Sequence, residues 1–194
     1  MSYTIYYHGA LDVFRGLADP IMALLNHVGK SYEGAPVEAV PKDFPTFQCP
    51  MVKFPDGTTI AQTPAIMIAL GKVEGLYPQD LAGEMRGWQL VLDAGDVFSE
   101  AYKNKGEGLR EEFQKESGRL CKWLAHLENA LQVSNGDYFL GDKLTYVDFM
   151  MFMTTTGIRA FFKADFGEKL KAWETSMSNL EAYKKFEGGP PFLP

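Results

Sequence analysis

The sequence predicts a small α/β domain with a mixed four-stranded sheet, followed by an all-helical domain. Three observations predict it. The chain up to Gly75 runs strand, helix, strand, hairpin, helix. The stretch from Gly75 to Gly83 contains Pro78 and reads as a linker. Everything beyond it carries helical spacing. The boundaries that follow are a first domain over 1–77 and a second over 84–194.

Tyr3 to Tyr7 is short and rich in β formers, so it is read as a strand, with a loop from His8 to Asp12. From Phe14 the apolar residues at 14, 17, 18, 21, 24, 25 and 28 have helical spacing, and Gly29 is a stop signal. Pro20 fits that helix only within its first turn. A second extended piece is expected around Val37, within Tyr32 to Val40. A loop with Pro41 and Pro45 follows. A strand-helix-strand unit of this kind favours a parallel pair.

The stretch from Gln48-Cys49-Pro50 to Gln62-Thr63-Pro64 is the most informative. Met51 to Phe54 and Thr59 to Ala61 flank Pro55-Asp56-Gly57-Thr58, a strong hairpin signal because Gly supplies positive φ without steric cost. Pro64 then sits just inside a helix start, where its missing N–H costs nothing. The first amides of that helix are unpaired donors with partial positive charge, so a carboxylate is well held there.

In the second half, Met85, Trp88, Leu92, Gly95, Phe98 and Tyr102 form one stripe, broken by Asn104 to Gly108. Leu109, Phe113, Leu120, Trp123, Leu124, Leu127 and Leu131 form another, broken by Ser134 to Tyr138. Thr145-Tyr146-Val147-Asp148 is a capping box ahead of an apolar helix, Phe149 to Phe162, expected at the domain centre. A last helical region covers Glu168 to Phe186, and the tail Gly188 to Pro194 is not helical.

The net charge of −6 is spread along the chain without a basic stripe, which argues against nucleic acid or an anionic membrane as partner. No apolar run is long enough to span a bilayer. His8, His27 and His126 are scattered, and Cys49 and Cys121 lack metal-ligand or CxxC spacing. No metal site is expected, and a cytoplasmic location suits this cysteine usage.

Four motifs in order carry a resemblance. They are Tyr6-Tyr7, Arg15-Gly16-Leu17-Ala18-Asp19-Pro20-Ile21, the Cys49-Pro50 to Ile66 stretch, and Gly141-Asp142-Lys143-Leu144-Thr145-Tyr146-Val147-Asp148. Together they resemble the soluble glutathione transferases, the tyrosine-using sigma-like members most closely, over almost the whole chain. The resemblance implies a thioredoxin-like domain that binds glutathione and a helical domain contributing the pocket for a second substrate. It implies glutathione as substrate or cosubstrate, an apolar electrophile as its partner, and a homodimer.

The site residues follow from the same resemblance. Tyr7 matches the tyrosine that hydrogen-bonds the glutathione sulfur; adjacent strand residues face opposite ways, so Tyr6 and Tyr7 cannot both do so. A free thiol titrates near ~8.5, and lowering it by about two units takes about 2.7 kcal/mol of preferential thiolate stabilisation. A charge-assisted hydrogen bond in a partly dry site supplies much of that. Pro50 matches the family's cis proline, with the Cys49 backbone offered to the cysteinyl unit. Gln62 and Thr63 would meet the γ-glutamyl carboxylate. Gln48 and Lys42 would serve the glycyl end, and Asp96 falls where family dimers send an acidic residue to the partner's glutathione. His8, Tyr102 and Met153, with Met150 and Phe161, are candidates for the second-substrate wall. Arg15 matches a family arginine.

Two other readings stand beside this one. His8 and Gln48 depart from the sigma-like pattern, which fits a non-catalytic ligand-binding or structural relative. Cys49 without a second nearby cysteine offers a weaker basis for thiol-disulfide exchange.

Overall fold

The computed structural model describes residues 2–8, 11, 14–186 and 192. Four strands come first: β1 (Tyr3–Tyr7), β2 (Tyr32–Pro36), β3 (Met51–Lys53) and β4 (Thr59–Ala61). They form one sheet in the order β2-β1-β3-β4. β1 and β2 are parallel, with Tyr3 opposite Tyr32 and Tyr7 opposite Pro36. β3 runs antiparallel to both β1 and β4. Helix α1 (Asp19–His27) makes the parallel crossover, and α2 (Thr63–Val73) packs on β3 and β4.

The hairpin forms as its turn chemistry demands. Gly57 has φ 93°, its amide donates to the Phe54 carbonyl at 2.9 Å, and Asp56 accepts from the Thr58 amide at 2.8 Å. Two expectations shift. The extended piece ends at Pro36, and Val37–Ala39 is a 3-10 turn, because Val37 continues from a proline that has no amide to give a sheet. The first helix starts at Asp19, not Phe14, because Pro20 has to sit at its N-terminal turn; a 3-10 turn (Gly16–Ala18) precedes it. The reading of the 8–12 loop falls largely outside the described residues, as does that of the tail except Phe192.

The remaining elements are helices: α3 (Leu81–Lys103), α4 (Arg110–Gln114), α5 (Arg119–Ser134), α6 (Tyr146–Phe161), α7 (Glu168–Ser178) and α8 (Glu181–Lys184). α6 is the central one, packed against α1, α2, α3 and α7. Its capping box is formed. Asp148, fully buried, accepts from the Phe139 amide, the Thr145 amide and hydroxyl, and the Trp173 indole at 2.9–3.2 Å. Burial pushes its carboxyl up to about 6, while all four donors favour the ionised form.

One stripe is corrected. α3 buries Leu90, Val91, Ala94, Val97, Ala101 and, of the expected stripe, Phe98. Met85 and Leu92 of the expected stripe are 59% and 58% exposed, and with Leu81 and Trp88 they form an outward apolar row. The sequence offers two apolar faces on one helix, and periodicity alone does not say which meets α6. Glycine at Gly71 and Gly87 lets α2 and α3 close on Tyr146, since an added Cβ would lie 2.7 Å and 2.6 Å from that side chain.

Candidate active site

A cavity of about 730 Å³ opens between the end of the sheet and the helical half. β1 delivers Tyr7 to it, and Tyr6, one residue back, is not among its lining residues. Cys49 and Pro50, joined by a cis peptide bond, enter ahead of β3. Gln62, Thr63 and Pro64 come from the start of α2. Asp96, Ser99, Tyr102 and Lys103 come from α3, and Met150, Met153 and Phe161 from α6.

Tyr7 is buried, and its hydroxyl oxygen accepts a hydrogen bond from the Leu17 amide at 2.9 Å. That leaves the phenol proton available to a ligand, and burial pushes its pKa up to about 12. The group therefore serves as a donor at neutral pH and does not act as a base. Gly16, at φ 44°, allows this approach, because a Cβ there would collide with the Tyr7 hydroxyl and with Phe14. Sequence reasoning missed the Gly16–Leu17 backbone as a partner of Tyr7; the only signal was a glycine inside an apolar helical pattern.

Gln62 is the N-cap of α2, with φ 73° and ψ 111°, and its side chain caps nothing. A non-glycine residue held there is strained, and such strain clusters at ligand sites. The first amides of α2 thus lack a side-chain acceptor. Thr63 behaves differently from expectation: it is buried, and its hydroxyl donates to the Leu17 carbonyl at 3.3 Å. While that bond stands, the donors left for a carboxylate are main-chain amides.

His8 places Nε2 3.0 Å from Cys49 Sγ, and burial pushes the Cys49 thiol up. Gln48, exposed, lines the cavity. Lys42 does not; it lines a smaller neighbouring cavity of about 310 Å³ that shares Gln48 and Cys49 with the first. Asp96 lines this chain's own cavity beside Gly95, whose added Cβ would lie 3.7 Å from Pro64. Arg15 lies outside it, buried, with Nε donating to Asp19 at 2.7 Å and its guanidinium over the Phe186 ring at 4.2 Å. A charge so buried needs that carboxylate, which is why Arg15 turns inward. Among the described residues no group of three His, Cys, Asp or Glu side chains is placed to hold a metal.

Known proteins are similar to this chain in sequence and in fold. Residues 94–187 match the family model described as "Glutathione S-transferase, C-terminal domain". Over that segment the chain is similar to the glutathione transferases. It is 31% identical over 124 residues to Glutathione S-transferase P 10 of Caenorhabditis elegans, covering 62% of this chain and 57% of that protein. A glutathione S-transferase of Plasmodium yoelii yoelii is 27% identical over 111 residues, 57% of this chain and 52% of the relative. The matches thus span little more than half the length of these curated relatives. In fold the likeness runs over nearly the whole chain: the glutathione S-transferase of Ascaris lumbricoides superposes with a TM-score of 0.79 at 21% identity over 99% of this chain and 100% of that one. A sigma-class glutathione transferase of Fasciola hepatica gives 0.78 at 22% over 98% and 99%. The mixed sheet followed by helices is the transferase architecture. Among the described residues, no helix is long and apolar enough to cross a membrane.

Proposed function

We propose that this protein is a cytoplasmic glutathione transferase that activates the glutathione thiol through Tyr7. The observation that carries the reading is the Tyr7 hydroxyl, held by the Leu17 amide at 2.9 Å with its proton free, on the wall of a cavity of about 730 Å³. In this reading residues 1–77 bind glutathione and 84–194 supply the wall for the second substrate.

Glutathione would lie with its cysteinyl unit along Cys49 and Pro50 and its γ-glutamyl carboxylate at the uncapped start of α2, among Gln62 and Thr63. In a homodimer Asp96 would meet the cationic amino group of the γ-glutamyl unit of the partner's glutathione. Gln48 and Lys42 would take the glycyl end. Tyr7 donates to sulfur, which favours thiolate over thiol, and the displaced proton leaves to solvent. The thiolate then attacks an apolar electrophile seated against Tyr102, Met150, Met153 and Phe161, or adds reversibly to a substrate that is isomerised. The second substrate needs no nucleophile from the protein.

A non-catalytic role is the second reading, and the His8–Cys49 contact at 3.0 Å on the cavity wall favours it, because those side chains flank the place assigned to the cysteinyl unit. Retention on immobilised glutathione combined with turnover of 1-chloro-2,4-dinitrobenzene separates the two. The transferase reading expects both, with kcat/KM falling about 100-fold in Tyr7→Phe if the bond supplies the ~2.7 kcal/mol needed. Retention without turnover would leave the non-catalytic reading.

A further inference from the structure

The cavity has unlike ends. Asp96 sits at the α2 end, beside Gly95 and Pro64. Seven residues on, about 10 Å along α3, Lys103 lines the same cavity, and Lys105 follows in the turn beyond. Lys105 is half-buried, with Nζ 4.6 Å from the centre of the Tyr102 ring and 4.7 Å from that of Phe161. Its main chain is held as well. Arg110 donates through Nε and Nη2 to the Lys105 carbonyl at 3.0 and 2.8 Å. The ion pairs among the described residues engage other cations and leave Lys105 without a carboxylate.

A cation perched on two aromatic rings at the rim of an apolar cavity is matched by one kind of ligand: an apolar body ending in an anion. A neutral electrophile would leave the ammonium with rings and water alone. An electrophile with a carboxylate would pair it while its apolar part covers Tyr102 and Phe161. The geometry also orients such a substrate. Tyr7 and Tyr102 line the same cavity as Lys105, so a carboxylate at Lys105 leaves the apolar portion within the space that Tyr7 faces.

We propose that Lys105, with Lys103 beside it, is a carboxylate-recognition subsite, and that the preferred second substrate is an apolar electrophile bearing a carboxylate. The substrate part of this rests on the transferase reading; the binding part does not.

Two arms test it on the full-length chain. The first compares glutathione conjugation of ethacrynic acid with that of its methyl ester. The acid-to-ester ratio of kcat/KM is expected to fall about 10-fold in Lys105→Ala, to fall further in Lys105→Glu, to persist in Lys105→Arg, and to shrink as salt is raised. The second titrates cis-parinaric acid and its methyl ester by fluorescence without glutathione, with unchanged melting temperature as the check that each variant is folded. Acid binding is expected to weaken about 10-fold in Lys105→Ala relative to ester binding. If neither electrophile turns over but the binding arm behaves as stated, the transferase reading fails and the subsite stands. An acid-to-ester preference in binding that is the same in wild type and Lys105→Ala overturns the subsite.

Discussion

In the proposed function, little of what suits Tyr7 to its role is carried by its identity alone. The phenol is useful because Leu17 occupies one lone pair, burial raises its pKa to about 12, and Gly16 leaves room for both. A raised phenol pKa means the proton is retained throughout the neutral range, so Tyr7 itself does not titrate between pH 6 and 9, and in the proposed function the bound thiol is expected to titrate there. Gly16→Ala is expected to displace the hydroxyl and to lower kcat/KM about 10- to 100-fold, given how steeply rate depends on placement. In the Tyr7→Phe background the same change should cost far less, a coupling that a double-mutant cycle reads directly. Additive losses would show that Gly16 acts elsewhere. At this scale the sequence was legible where a residue type and its neighbours suffice: Tyr7, Cys49, Pro50, Gln62 and Thr63 all line one cavity. Illegible were the partners. The Thr63 hydroxyl turning to Leu17, the Gln62 backbone at φ 73° and the Arg15–Asp19 burial depend on residues distant in sequence or on backbone angles that no side-chain pattern announces.

Elements were legible in proportion to local chemistry. The Asp56-Gly57 turn and the Thr145–Asp148 box are set by residues within four positions, and both formed as read. The first helix began later than its periodicity indicated because Pro20 governs its start. The buried face of α3 was legible only at Phe98, because both apolar rows of that helix have helical spacing and tertiary packing chooses between them. Asp148 gives the clearest test at this level. Its carboxylate gathers four donors from three segments, α6, α7 and the loop at Phe139. Asp148→Ala should leave those donors buried without a partner and cost about 3–5 kcal/mol, or about 10 °C in Tm. A change below a few degrees by calorimetry would mean that water or repacking satisfies them.

At the scale of the whole molecule, α6 ties the sheet half to the helical half, and the cavity lies where they meet. The outward row on α3, Leu81, Met85, Trp88 and Leu92, is the feature this single chain leaves uncovered. We propose that a second copy covers it. Sedimentation velocity should find a dimer for the wild type and a monomer for Trp88→Glu combined with Leu92→Glu; a monomeric wild type would remove the proposal. The architecture could be read from the order of elements, since a strand-helix-strand unit, a hairpin and a helical run leave few ways to pack. The seat of Lys105 against both Tyr102 and Phe161 could not, because it arises only when α3 and α6 are brought together.

The central claim is that Tyr7 stabilises the thiolate of bound glutathione, and an ultraviolet titration of enzyme-bound thiolate against pH tests it most directly. The wild type should hold glutathione as thiolate with a pKa about two units below the free thiol's ~8.5. In Tyr7→Phe, glutathione should still bind but titrate near its free value. A Tyr7→Phe protein whose bound glutathione ionises as readily as in the wild type would contradict the account.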